Sequence, residues 1–317
     1  MITIKYFNHM MITFIKKYVI QIIVLSGVII LAIHDPRLLT INNIFISIIQ
    51  STVLGIASIG MTFVVIAGGF DLSIGSVAAL SSMFASLIMI ATESILLGIF
   101  GGLAVGICAG LINGFLVAFA RMSPFIVTLG MLVIARATAL AVTDGRPIVG
   151  LPILINKLAN SSYFGIPNLV LLFIIIFILA HILLTYTKLG IQIYAIGSNK
   201  KACELAGLNI KLITIITFCI SGFTASVAGL IVTARLCSGQ PTSNTYLELY
   251  AMAAVVLGGN SLLGGRGNLI ITLFGVFVII FLQRGMNLAN INLYFQQVVL
   301  GLVLIITASS ELLRSNN

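Results

Sequence analysis

Apolar runs long enough for membrane helices recur along the chain, separated by short polar or glycine-bearing turns. They lie near 13–33, 44–67, 73–92, 95–119, 124–143, 166–186, 211–233, 248–260, 269–284 and 293–310. A helix needs about 20 apolar residues to cross the hydrocarbon core of a bilayer. Nine of the runs approach that length, whereas 248–260 is short and bounded by glycine. The pattern predicts an all-α fold, a polytopic transmembrane bundle of about ten spans forming one domain over 1–317. Two connections are long. One, 144–165, carries Pro147 and Pro152, and the other, 187–210, is more polar. The first run follows Lys16 and Lys17 and ends in "HDPRLL" with no small-residue cleavage site, so it reads as an uncleaved span.

Composition sharpens this reading. Of 317 residues, 60% are hydrophobic and 7% charged, with a mean hydropathy of +1.23. Those values exclude a soluble domain, which would have too little polar surface to face water. A net charge of +9 would suggest nucleic acid as the partner of a soluble protein. Here the cations are spread over short loops, where they set membrane orientation, and no nucleic-acid partner is expected. With the N-terminus inside, Lys5, Lys16, Lys17, Arg121, Lys188, Lys200, Lys201, Lys211, Arg266 and Arg314 fall on the inner side. Arg37, Arg146, Lys157, Arg235 and Arg284 fall outside. This bias places both termini in the cytoplasm, loop 187–210 inside and loop 144–165 outside. Cys108, Cys203, Cys219 and Cys237 have no CxxC spacing, and His9, His34 and His181 are scattered. Neither set implies a disulfide or a metal.

The polar interruptions are few. In "GGFDLSIGS" (68–76), Gly68 and Gly69 end one run, and Asp71 stands where its carboxylate can accept from the backbone N–H of Ser73 or Ile74. That capping role competes with a place beside the translocation path for Asp71 and Ser73, because ionisable groups at membrane depth tend to be functional. The charge count sets Asp71 near the cytoplasmic face, which suits a cap or an inner gate. Asn113 is either an interhelical hydrogen-bonding residue or another path residue. Asn260, in the turn "GGNSLLGG", joins the path candidates. Arg136 either snorkels or binds a backbone carbonyl, and Gln283, Arg284, Gln296 and Gln297 suggest an outer rim. The pattern GGxxLxxG occurs at 68–75 and again at 258–265. No GxxxxGK[ST] motif is present, so the chain does not bind ATP through a phosphate loop. No nucleophile–base or metal constellation supports an enzyme. A self-sufficient ion-coupled transporter would need a charged coupling site, for which Asp71 and Arg136 are the only candidates.

The segment "YAIGSNKKACELAGLNIK" (194–211) is unlike the rest. Ser198 or Asn199 can cap a short helix over 200–206, with Ala202, Cys203, Leu205 and Ala206 as a small apolar face and Gly207 as its left-handed stop. Such a helix either lies on lipid or docks a cytoplasmic partner. This segment resembles the coupling loop of ATP-binding-cassette importer permeases. The stretches "GMTFVVIAGGFDLSIGS" (60–76), "GLINGFLVAFARMSPFIVTLG" (110–130), "YAIGSNKKACELAGLNI" (194–210) and "AMAAVVLGGNSLLGGRGN" (251–268) resemble the branch that imports monosaccharides. "SGQPTSNTYLELYAMAAVVLGG" (238–259) is most similar to the ribose permeases of that branch. The Lys200–Lys201 pair departs from the more acidic or neutral residues common there. The resemblance implies a permease in the bacterial inner membrane with no cofactor of its own. ATP would be bound by a separate cytoplasmic subunit, sugar delivered by a periplasmic binding protein, and a second permease copy paired with this one. It also implies ATPase coupling at Asn199, Lys200, Ala202, Glu204 and Gly207, with ribose or a similar pentose as cargo.

Overall fold

The computed structural model describes residues 21–315, and the part of the first apolar run that precedes Gln21 lies outside them. The described residues are almost entirely helical. In order they form α1 (Gln21–His34), a 3-10 turn (Pro36–Leu39), α2 (Ile41–Ile66), α3 (Ile74–Thr92), α4 (Ile95–Ala118) and α5 (Pro124–Ala141). After α6 (Ile153–Asn160) come the short strands β1 (Ser162–Tyr163) and β2 (Ile166–Pro167). The rest are α7 (Asn168–Tyr186), α8 (Lys188–Ser198), α9 (Lys200–Leu205), α10 (Ile210–Leu236), α11 (Leu247–Gly258), α12 (Leu269–Leu288) and α13 (Leu293–Ser315). Each of the ten apolar runs is helical over most of its described length. Seven are long and apolar enough to cross a membrane, namely α2, α3, α4, α5, α7, α10 and α12. The apolar stretches of α1, α11 and α13 are shorter.

Helices α2 and α10 form the centre. From Leu54 to Ile66 every residue of α2 is buried, and α10 buries most of Ser221–Ile231. A helix apolar on all sides belongs inside a bundle. Helix α4 approaches α10 through glycines. A Cβ on Gly106 would run into the carbonyl oxygen of Gly222, and one on Gly114 would lie 2.7 Å from the Ile215 Cα. Small residues let membrane helices pack backbone against backbone, so dispersion contacts replace the missing hydrophobic drive. The outer faces of α4, α5 and α7 instead expose Phe100, Phe115, Val133, Ile134, Ile175 and Leu179. An apolar exterior around a polar-bearing centre is the arrangement that lipid favours.

Both long connections are more ordered than the sequence pattern predicts. The 144–165 loop holds α6 and β1, and β1 pairs with β2 just beyond it. Asn156 of α6 donates to the Ala234 and Arg235 carbonyl oxygens at 3.2 and 2.9 Å, closing the last turn of α10. In 187–210 the short helix α9 stands where expected, but it is preceded by α8, which the pattern does not reveal. Helix α8 begins at Thr187, whose hydroxyl accepts from the Gly190 N–H. Gly190, Ile193 and Ile196 are its buried side. At the far end of the bundle, Arg284 and Gln296 turn inward rather than forming a rim. Arg284 Nε donates to Asn43 Oδ1 at 3.0 Å, and Gln296 donates to Asn287 Oδ1 at 2.8 Å and to the Ile291 carbonyl at 2.9 Å.

Candidate functional site

The sequence leads to two places, a buried polar group around Asp71 and the α8–α9 segment. At Gly68, with φ +83°, the chain turns back after α2. It then runs in non-helical form to Ser73 before α3 starts. Asp71 is 2% exposed. Its Oδ1 accepts from the backbone N–H of Ser73 at 3.0 Å and from the Ser73 hydroxyl at 2.6 Å. Its Oδ2 accepts from the Ser221 hydroxyl of α10 at 2.6 Å. Asn113 Nδ2 donates to Ser73 Oγ at 3.1 Å, while its Oδ1 is buried with no partner among the described residues. Asp71, Ser73 and Asn113 are thus brought together, and Ser221 is the member that sequence reasoning missed. A serine inside an apolar run carries no signal of its own until its partner is known.

The capping expectation is not met. Asp71 binds the Ser73 N–H as expected, but Ser73 is itself the residue before α3, which begins at Ile74, and no side chain caps that helix. The group also lies deeper than the charge count implies. Ser221 is eleven residues into α10, about 16 Å from its start at 1.5 Å per residue. Asn113 is five residues, about 8 Å, from the end of α4. The group therefore sits inside the bundle rather than at its surface.

Beside it lies Glu248, in the first turn of α11 and also unanticipated. Its carboxylate fills the space that a Cβ on Gly75 would need, at the start of α3. It is thus next to the N-terminal turns of two helices, whose dipoles favour an anion. Arg136 and Asp71 are both within its electrostatic reach. Arg136 itself donates to the Pro241 and Ser243 carbonyl oxygens at 2.7 and 2.9 Å, realising the carbonyl-binding alternative.

Asn260 is engaged elsewhere. Its Oδ1 accepts from the Asn268 N–H at 2.8 Å, and its Nδ2 donates to the Val255 carbonyl at 2.8 Å and to Thr272 Oγ1 at 2.9 Å. It fastens the end of α11 to the start of α12.

At the end of the bundle where α2 and α4 finish and α10 starts, α9 projects. Asn199 Oδ1 accepts from the Ala202 N–H at 2.9 Å, which identifies Asn199 rather than Ser198 as the cap. Gly207 has φ +78° and ends the turn. Lys200, Ala202, Glu204 and Gly207 are exposed. The expected small apolar face is not packed. Of Ala202, Cys203, Leu205 and Ala206 only Cys203 is buried, and Leu205 is 83% exposed. Tyr194 of α8 donates to the Gly267 carbonyl at 2.7 Å, and burial pushes its phenol above the usual range, so it stays a donor at neutral pH.

A cleft of about 440 Å³ opens between α9 and the α4–α5 turn. Arg121, Lys200, Glu204 and Lys211 stand among its walls, and Thr217 and Phe218 reach within one turn of Ser221. The Lys211 ammonium also lies 4.7 Å from the Phe119 ring centroid. Among the described residues no group of three or more His, Cys, Asp or Glu could hold a metal.

The chain is similar to known transport permeases. Residues 43–308 match the family described as branched-chain amino acid transport system / permease component. The chain is 38% identical over 300 residues to the ribose import permease protein of Escherichia coli (strain K12), covering 92% of this chain and 91% of that one. It is 39% identical over 281 residues to the ribose import permease protein of Bacillus subtilis (strain 168), covering 88% and 87%. To the D-allose transport system permease protein of Escherichia coli (strain K12) it is 34% identical over 278 residues, covering 87% and 85%. No solved structure matches the chain.

Proposed function

The chain belongs to the family of permease components of ATP-binding-cassette import systems, and we propose that its cargo is a monosaccharide, ribose or a similar pentose. It is a transport component rather than an enzyme and a multi-pass membrane protein. The identity with two ribose permeases across nearly the whole chain supports ribose. The whole of 1–317 acts as one permease domain in the inner membrane. A separate subunit binds ATP, a periplasmic binding protein delivers the sugar, and a second copy of the chain completes the pathway.

The observation that carries the division of labour is α9, a capped helix whose residues, Cys203 apart, are exposed. In this reading Asn199, Lys200, Ala202, Glu204 and Gly207 meet the ATP-binding subunit. The same end gathers Arg121, Lys188, Lys200, Lys201, Lys211 and Arg266, which fits a cytoplasmic face and both termini inside. The cleft between α9 and the α4–α5 turn then forms an inner mouth, and the Asp71, Ser73 and Asn113 group closes it from above. Asn260 contributes to this gate by holding α11 to α12.

The test is uptake by the permease reconstituted in vesicles with its ATP-binding and sugar-binding partners. Labelled ribose should enter only with ATP, continue when the proton gradient is collapsed, and be displaced by unlabelled pentose before galactose. Uptake that stops with the proton gradient and ignores ATP would instead make the chain a self-sufficient secondary transporter. Orientation is checked with an impermeant thiol reagent. Cys203 is too buried to label, so the probe is Leu205→Cys in a cysteine-free chain, which should be protected in intact cells.

A further inference from the structure

Three segments far apart in sequence meet backbone against backbone next to α9. They are the last turn of α2 at Ile66–Gly68, the last residues of α8 at Gly197–Ser198, and the loop between α11 and α12. Gly265 donates its N–H to the Ile66 carbonyl oxygen at 2.8 Å. A Cβ on Gly197 would overlap that same oxygen and lie 3.0 Å from the Ile66 carbonyl carbon. One on Gly264 would lie 2.8 Å from the Gly68 Cα and 3.0 Å from the Gly197 oxygen. One on Gly265 would lie 2.8 Å from both the Cα and the N of Ser198. At Gly265 the Ser198 hydroxyl is nearer still, whereas at Gly197 and Gly264 the nearest neighbours are all backbone atoms, and closely packed protein has low compressibility.

Each segment leads somewhere specific. From Ser198 the chain passes directly into the Asn199 cap of α9. From Gly68 it runs to Asp71 within three residues, with the Phe70 carbonyl in contact with Thr128 Oγ1 of α5 at 3.4 Å. From Gly265 it reaches Gly267, held by Tyr194, and Asn268, held by Asn260. The two GGxxLxxG stretches of the sequence are the two that touch here, through Gly68 and Gly264.

We propose that Gly68, Gly197, Gly264 and Gly265 are positioning residues for transport, joining α8–α9, the Asp71 segment and the α11–α12 loop into one body that moves together. This rests on the reading of α9 as the ATPase contact. A push on α9 then moves the Asp71 segment and the first turn of α12 directly, whereas α4 and α5 contact the junction only through side chains.

The experiment uses the full transporter in lipid nanodiscs for distances and in vesicles for flux. In a cysteine-free permease, spin labels at Lys201→Cys and Leu263→Cys should keep one separation between the nucleotide-free and ATP-trapped states, while Lys201→Cys moves relative to Met122→Cys. A Lys201–Leu263 separation that changes as much as the Lys201–Met122 one overturns the proposal. Gly197→Ala should keep ATP hydrolysis but lower sugar moved per ATP about tenfold, within the range of allosteric coupling. Gly150→Ala, with φ +84° but open space around it, should leave that ratio unchanged. A native ratio in Gly197→Ala also overturns the proposal. Should Gly197→Ala fail to insert, the label pair in the chain with native glycines decides alone. A separate Leu205→Cys crosslink to the ATP-binding subunit reports on the α9 reading, so its absence is distinguishable from a failure of the junction.

Discussion

Ser221 of α10 donates its hydroxyl to Asp71 over 2.6 Å although 150 residues separate them in the chain. This bond ties the re-entering segment after α2 to the helix at the centre of the bundle. It also means that both Asp71 oxygens are occupied, one by Ser73 and one by Ser221. Asp71 thus anchors the segment before α3 to α10, a role distinct from the two that the sequence set against each other, a cap and a place beside the translocation path.

Substitutions at Asp71 should therefore separate by hydrogen-bonding capacity. Asp71→Asn keeps an acceptor for Ser73, and its amide can donate to the Ser221 hydroxyl, so folding and uptake should fall only slightly. Asp71→Leu strands the Ser73 N–H and two hydroxyls in a dry site, at about 1–3 kcal/mol for each buried unpaired group. Ser221→Ala removes one donor to the carboxylate and should cost about 1.5–3 kcal/mol if the group is charged. Thermal unfolding in detergent, with uptake measured in parallel, ranks the three. Equal stability in Asp71→Asn and Asp71→Leu would remove the anchoring role.

In α9 the cap and the stop should behave differently. Asn199→Ala deletes the bond to the Ala202 N–H and should destabilise this short helix by about 1 kcal/mol. Gly207→Ala meets no atom within 4 Å, so only the left-handed backbone opposes it, at about 1–2 kcal/mol. Both chains should insert normally, with reduced ATPase affinity in co-purification. The permease alone leaves open space at Gly207, but the ATP-binding subunit meets it in the proposed reading, so a bulky residue there should weaken co-purification more than alanine does. A bulky residue no worse than alanine would remove Gly207 from that contact.

The helical pattern and the positions of the long spans were legible because apolar runs of membrane length have few other uses. Asp71, Ser73 and Asn113 were legible as isolated polar residues in an oily chain, and Asn199 and Gly207 by their cap chemistry. Helix α8 was not, because its eleven residues mix Gly190, Gln192 and Gly197 with apolar positions and are too short for a clear period. The inward turn of Gln296 and Arg284 was missed for another reason. Their partners, Asn287 and Asn43, are ordinary surface-type residues until the fold places them opposite. Ser221 and Glu248 belong to the same class, since long-range pairing determines their roles and a single sequence does not encode it visibly.

Arg136 anchors the chain between α10 and α11 by binding two carbonyl oxygens with one nitrogen. Arg136→Lys should be a poor replacement, because an ammonium on a shorter, flexible stem reaches the pair less well than a planar guanidinium. Arg136→Ala leaves Pro241 and Ser243 without that donor and Glu248 without its neighbouring cation, so it should lower thermal stability more than Lys does. If Arg136→Ala unfolds at the native temperature, these bonds carry no net stability.

The approach of α4 to α10 gives a sharp packing test. On Gly222 an added Cβ would collide with the Gly106 carbonyl and lie 3.0 Å from the Gly110 nitrogen. Gly222→Ala must therefore push α4 off α10, and overpacking of this kind costs about 1–3 kcal/mol. Gly130 of α5 is the control, since a Cβ there meets nothing within 4 Å and alanine favours a helix over glycine by about 1 kcal/mol. Unfolding measured by the loss of the monodisperse peak on heating in detergent should fall to lower temperature for Gly222→Ala and hold or rise for Gly130→Ala. The opposite order would mean that α4 and α10 do not meet along their glycines. The Asp71–Ser221 anchor would then lose its frame, since α4 also supplies Asn113 to that group.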